Sequence, residues 1–582
     1  MKEIRNAFWM VLLVLILPIS VFAGGGQQGG KASSSGGPTV ITINDLTDGF
    51  ENWIWIKKLE KDLNVKIETV KFDSETFNLA VASGQLPDIT RIVGAVQVSP
   101  IVNNDIALDL GPLLEKHMPN AQSKQYRPVI EMLKELAGGP SHKLYFFSPW
   151  VGMQYTQGGI QNTRGYLPRW DYYKEIGAPP INNDDDYLAV LKAMQARHPT
   201  TRSGKKTYAI GVEKNYTDMG GYRAHFLSSV ALNPWSFGGT MYSTSLEDNH
   251  VVNGYTDIAH SHYWIDMKFY NRVYREGLFD PDSFTMSYDE YLAKVSDGAY
   301  MGVYWRESTL FDAESALNPQ STADYISVPS PNAIAFADKL QLFGSFPASG
   351  ICIPKYSKNW EKALEVLNWL WDPDNNRVYF SGEKGVYWDY DASGKPVLFD
   401  STLNFMSTDQ ARVRREGFNA PLTFNAYTSE GIHPDGYPYN LSMLIENRSR
   451  GISTAFKDFS DYYKVRYPAE AAYKLAREGK TIDLGNDYGQ FISGLVYSNI
   501  PTDTKRIIDT VNEIFNRAMP RLIQAKTDAE FNQIQQQVLS DARAANEAVA
   551  WQWISSEYGK VEKIVSPLFK EAKQSGLFKV TY

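Results

Sequence analysis

A chain of 582 residues is too long for one hydrophobic core and long enough for roughly two to four domains. Its net charge of −8 leaves no basic stripe to meet phosphates, which argues against a nucleic-acid partner. Hydrophobic residues at 43% and charged ones at 21% fit a soluble globular protein, and a single cysteine, Cys352, excludes an intrachain disulfide.

The first segment reads as an export signal. Lys2 and Arg5 form a basic head, Phe8 to Leu17 is an unbroken apolar run, and Val21-Phe22-Ala23 is a small-residue cleavage site. The apolar run is about half of the roughly 20 residues a membrane span needs, so cleavage near Ala23 is expected over anchoring. Gly24 stands where an exported lipoprotein carries its lipidated Cys, so no lipid anchor is expected. Residues 24–38, rich in Gly and Ser, read as a flexible linker.

From Val40 the elements alternate. Val40 to Ile43 is a short β-branched strand, Trp53 to Leu63 a helix, and Val65 to Val70 a second strand. Phe77 to Ala82 is a helix stopped by Gly84 and Pro87, and Ile89 to Val93 is again strand-like. This rhythm implies parallel βαβ units. Asp184-Asp185-Asp186 opens a helix, where acids suit the dipole. Tyr263, Met267, Tyr270 and Tyr274 mark a helix ended by Gly277. Trp360 to Trp371 is amphipathic and ends at Asp372-Pro373. Ile507 to Ile523 makes the strongest helix, and Thr527 with Glu530 looks like a capping box for the next.

Catalytic signatures are missing. His260 and His262 are two apart, on different helix faces, and there is no H-E-x-x-H, no G-x-S-x-G elbow and no phosphate loop. Asp389, Asp391, Ser393, Gly394 and Asp400 occupy positions 1, 3, 5, 6 and 12 of a calcium-loop pattern, but a β-hairpin turn with Ser-Gly at its tip is the preferred reading, and no metal site is expected. Aromatics reach 13% of the chain, enough to suit a sugar-binding cleft as well as a large core.

Six stretches, in order, resemble segments of the family 1 extracellular solute-binding proteins of ABC importers, in the large subgroup with alginate- and oligosaccharide-binding lipoproteins. They are Ala82-Ser83-Gly84-Gln85-Leu86-Pro87-Asp88-Ile89, Arg169-Trp170-Asp171-Tyr172-Tyr173-Lys174-Glu175-Ile176-Gly177, Tyr274-Arg275-Glu276-Gly277-Leu278-Phe279-Asp280-Pro281-Asp282-Ser283-Phe284, Gly298 to Trp305, Glu361 to Leu370, and Gly385-Val386-Tyr387-Trp388-Asp389. The resemblance implies an α/β, two-lobed periplasmic binding protein fold, each lobe a mainly parallel sheet flanked by helices, with hinge crossovers and a helical C-terminal region. Crossings are expected near residues 155–165, 343–350 and 400–420. The implied layout is a signal peptide over 1–23, the linker over 24–38, one lobe from 39–160 with 347–410, and the other from 161–346 with 411–582. Some alginate-binding relatives hold calcium in a loop after the helix that here ends near His198. Pro199 to Lys206 lacks a carboxylate there, so that site is not carried over.

The function implied by the resemblance is capture of an oligosaccharide, an acidic one among the options, between the lobes, and its delivery to ABC transporter permease subunits. The expected protein is a periplasmic monomer that makes and breaks no bond and holds no cofactor. Trp305, which the resemblance directs into the cleft, and Arg306, which could pair with a carboxylate, head the expected ligand contacts. Trp235 and Phe237 lie in a loop-rich stretch, and Trp388 lies on the hairpin. Trp150, Trp53 and Asp88 complete the set, with core packing the alternative for the tryptophans and a turn cap for Asp88. A secreted glycosidase or lyase, and a binder of peptides or another small solute, stay open as alternatives.

Overall fold

The structure, a computed structural model, describes residues 37–94, 97–153, 165–214, 232–233, 242–259, 261–304, 309–331, 334–335, 340–418, 424–429, 431–450, 452–483, 485 and 487–575. Thr39–Asn44 and Val65–Val70 pair in parallel over their full length, Thr39 opposite Val65 and Asn44 opposite Val70. Their β-branched residues suit a pleated surface, and Ile41, Ile43, Val65 and Ile67 enter the core. The Ile54–Leu63 helix makes the crossover and buries Trp55, Ile56 and Leu59. A second helix, Ser74–Ser83, opens with a capping box between Asp73 and Thr76 and closes at Gly84, φ 68. Ile43 then bridges Ile89 in parallel, and Thr90–Ile92 pairs antiparallel with Gly350–Cys352. The first sheet is therefore parallel where the early chain builds it, with one antiparallel member returning from far along the sequence.

The second sheet is assembled from isolated pairings. Tyr208 bridges Tyr300 and Ile210 bridges Phe279 in parallel, while Pro168 meets Gly302 and Arg169 meets Tyr325 in antiparallel fashion. Gly302 is required there, because a Cβ would stand 2.2 Å from the Tyr187 hydroxyl. The Arg169-Trp170-Asp171 stretch is a structural lock. The Arg169 guanidinium takes both Asp171 oxygens at 2.9 Å and lies 3.7 Å over the Tyr172 ring, and Trp170 Nε1 donates to Asp458 at 2.8 Å. Asp184–Arg197 is opened by the Asn183 side chain, with three acids in its first turn.

The last third is helical. Thr502–Gln524 packs on His262–Arg275. Asn271 Nδ2 donates to the carbonyls of Leu522, Ile523 and Ala525 at the end of the Thr502–Gln524 helix, and Tyr263 donates to Phe515 O. Glu547–Gln574 packs on Thr502–Gln524 and also reaches Arg127–Ala137 of the early chain. Thr527 caps Asp528–Ala544 by accepting from Glu530 N, but the Glu530 carboxylate returns to Lys526 N, one residue short of the expected reciprocal bond. Among the described residues no helix is long and apolar enough to cross a membrane.

Candidate ligand site

Three distant stretches run side by side. Gly152–Met153 pairs antiparallel with Leu340–Gln341, and Val151 bridges Tyr427 in parallel. The N–H groups of Val151 and Ser345 donate to Ala426 and Pro149 at 2.8 and 3.0 Å. Ser148 fixes the junction from within. Its hydroxyl donates to Phe343 O at 2.8 Å and accepts from Phe346 N at 3.1 Å, while the Tyr126 hydroxyl both accepts from and donates to its backbone. Gly344, at φ 66, is held so close that a Cβ would lie 2.2 Å from Pro149 O.

Beside this junction is a cavity of about 400 Å³. Phe343 and Phe346 line it from the 340–348 stretch, Asp487, Tyr488, Gln490 and Phe491 from the start of Gly489–Ser498, and Phe569 from the final long helix. Phe343 and Phe491 stack at 4.9 Å and 29°, and Tyr488 packs on Phe569 at 5.2 Å. Burial raises the Tyr488 hydroxyl, which donates to Ser566 at 3.1 Å. Flat apolar faces next to a carboxylate and an amide can hold a sugar ring by its C–H face and its hydroxyls.

The expected ligand residues fall in different places. Trp305, Arg306, Trp235 and Phe237 lie outside the described residues. Trp150 lies in the junction, its N–H donating to Asn425 O. It holds φ 68, a backbone region that bulky side chains rarely occupy, and its indole Nε1 is enclosed without a partner among the described residues. Asp88 gives both oxygens to the protein: Oδ2 accepts from Thr42 N and Thr42 Oγ1, and Oδ1 from Ser357 Oγ at 2.6 Å. Trp53 is a buried N-cap residue, 5.8 Å from Trp55, with Gly417 against its ring. Trp388 is buried among Leu398, Leu441 and Leu444, and its Nε1 donates to Gly382 O at 2.9 Å. Its strand, Trp388–Tyr390, forms a hairpin with Pro396–Leu398. In the turn, Asp391 Oδ1 accepts from Ser393 and Lys395 N–H groups, and Asp400 starts the next helix instead of closing the loop.

Nothing in the sequence singles out the cavity aromatics Phe343, Phe491 and Phe569. A polar cluster behind Trp388 is equally hidden there. Arg377, 1% exposed, pairs with Asp435 and lies 5.3 Å over the Trp388 ring. His433 stands between Asp374 and Asp435, 3.0 Å from each. Burial works to raise the Asp435 carboxyl, yet hydrogen bonds from His433 and Arg377 hold it well below the usual carboxylate range.

Solved structures share this architecture across nearly the whole chain. An alginate-binding protein without its calcium ion aligns at 18% identity and TM-score 0.51, covering 90% of this chain and 99% of that one. An HMO-binding ABC-transporter-associated solute-binding protein from Bifidobacterium longum infantis aligns at 16% and 0.57, covering 90% and 99%. An extracellular solute-binding protein from Bifidobacterium longum subsp. infantis aligns at 17% and 0.56, covering 90% and 98%. The fold is that of a two-lobed solute-binding protein. Among curated sequences, the fructooligosaccharide ABC transporter substrate-binding protein FusA of Streptococcus pneumoniae is 24% identical over 263 residues, 43% of this chain. The matched stretch spans 45% of that relative's length. No family model matches the chain.

Proposed function

We propose that this two-lobed protein captures an oligosaccharide between its lobes and delivers it to the permease of an ABC importer. The observation that carries the reading is the sequence similarity to FusA, a fructooligosaccharide ABC transporter substrate-binding protein, in a chain with the solute-binding fold. In this reading the chain crosses between lobes near 155–165, 343–350 and 400–420, and the paired 148–153, 340–346 and 424–428 stretches adjoin those crossings as the hinge. Lobe one comprises 39–160 with 347–410, and lobe two comprises 161–346 with 411–582. Trp150 and the cavity aromatics supply stacking faces, and Trp305, Arg306, Trp235 and Phe237 are proposed as further ligand contacts. Residues 1–23 act as the export signal and the protein is released outside the cytoplasmic membrane.

Binding without chemistry makes a direct test possible. A melting-temperature screen across neutral oligosaccharides, oligouronates and peptides should give concentration-dependent stabilisation by at least one saccharide class, since a ligand that binds only the folded state stabilises by mass action. The saccharide should be recovered intact. Stabilisation by peptides alone, or accumulation of shortened glycans, would overturn the reading.

A further inference from the structure

Arg91 is the middle residue of the Thr90–Ile92 strand, at the carboxyl end of the first sheet. In open α/β sheets ligands gather outside the carboxyl ends of the parallel strands. The Arg91 backbone is pinned on both sides by Asn44: Asn44 Oδ1 accepts from Arg91 N at 2.6 Å, and Asn44 Nδ2 donates to Arg91 O at 2.9 Å. Its side chain is half-buried, and Nε donates to Ser349 Oγ at 3.0 Å. Ser349 is in turn fixed by its own backbone, whose N–H donates to Ser345 O at 3.0 Å. Ser349 follows Ala348, which lines the hinge cavity and whose carbonyl accepts from Gly94.

The two terminal nitrogens of Arg91 have no hydrogen-bond or ion-pair partner among the described residues. The nearest charge acting on it is Asp45, whose carboxylate attracts it from beyond ion-pair distance and is itself occupied by Asn44 Nδ2 at 2.7 Å. Burial lowers the Arg91 pKa, so its charge is carried at a cost that an anion would relieve. A guanidinium anchored through Nε keeps its end-on fork free, and that fork matches a carboxylate in bidentate geometry.

We propose that Arg91 makes this a receptor for acidic saccharides, its terminal nitrogens binding the carboxylate of a hexuronate unit. This rests on the saccharide-binding reading and narrows its substrate class. Calorimetric titration of the full chain with oligogalacturonates and oligomannuronates, against fructo- and maltooligosaccharides, tests it. The wild type should bind an oligouronate more tightly than any neutral sugar, and more weakly as salt rises. Arg91→Gln should weaken the oligouronate about 10- to 100-fold while leaving any neutral-sugar affinity within about twofold. Arg91→Lys, which keeps the charge without the fork, should fall between. If Arg91→Gln does not fold, Ser349→Ala, which removes only the Nε anchor, should still weaken the oligouronate selectively. Neutral sugars bound as tightly as oligouronates, or oligouronate binding unchanged in Arg91→Gln and Ser349→Ala, overturns the inference and leaves the saccharide reading standing. Binding of no saccharide at all removes both.

Discussion

Trp150 shows how a residue can be legible by type and illegible by conformation. An isolated Trp before a strand is a reasonable ligand candidate, but nothing local announces its φ of 68 or its enclosed, unpartnered Nε1. The chain around it is held by residues far along the sequence: Trp150 N donates to Asn425 O, and the neighbouring Pro149 O accepts from Ser345 N. Backbone strain of this kind, of order 1–3 kcal/mol, survives only where the surroundings over-determine it. Trp150→Gly should therefore cost less than the roughly 3–5 kcal/mol usual for deleting an enclosed aromatic, since glycine accepts positive φ freely and the strain is relieved. It should nevertheless raise the saccharide Kd about 10- to 100-fold, the worth of burying one large apolar side chain. Trp150→Phe should keep most of the affinity. Unchanged Kd in the glycine variant, by titration calorimetry, would show that the ring serves the junction alone. Trp388 makes the opposite point. Its hairpin is visible in the sequence, but the leucines that bury its ring, Leu441 and Leu444, come from a later turn no local pattern connects to it.

Elements with their own signals are legible in the sequence, and those made by long-range pairing are not. Val65–Val70, the Gly84 stop and the acid-rich start of Asp184–Arg197 each carry propensity or capping chemistry within a few residues. The second sheet rests on single bridges between strands too short to show a period, so its order emerges only in three dimensions. The cluster that ties Pro373–Ser381 to the 433–439 loop is likewise hidden, because Arg377 and Asp435 look like ordinary surface charges in sequence. Its energetics give a pH signature. Asp435 titrates lower in the folded chain than when unfolded, so it contributes stability above the unfolded carboxylate pKa of about 4 that is lost as pH falls through the folded value. Asp435→Asn should cost about 3–5 kcal/mol at neutral pH, because it leaves the buried Arg377 charge unpaired. The gap between variant and wild type should narrow below about pH 4. Denaturant midpoints across a pH series check this, and a constant gap at every pH would contradict it.

At the scale of the whole molecule, the binding-protein fold is implied by six ordered stretches and not by composition. The structure explains several of them as locks: Arg169 on Asp171, Trp170 on Asp458, and Asp88 on Thr42 and Ser357. The three stretches at 148–153, 340–346 and 424–428 are joined by short backbone pairings, and in the proposed reading they adjoin the hinge that absorbs a closure. A ligand can shift such an equilibrium only by its differential affinity for the closed state, so binding and closure must saturate together. Small-angle X-ray scattering of the mature chain, titrated with the oligosaccharide that most raises its melting temperature, measures this directly. Capture by closure predicts a saturable fall in radius of gyration with the midpoint of binding. A radius of gyration that stays constant through saturation would contradict capture by closure of the two lobes.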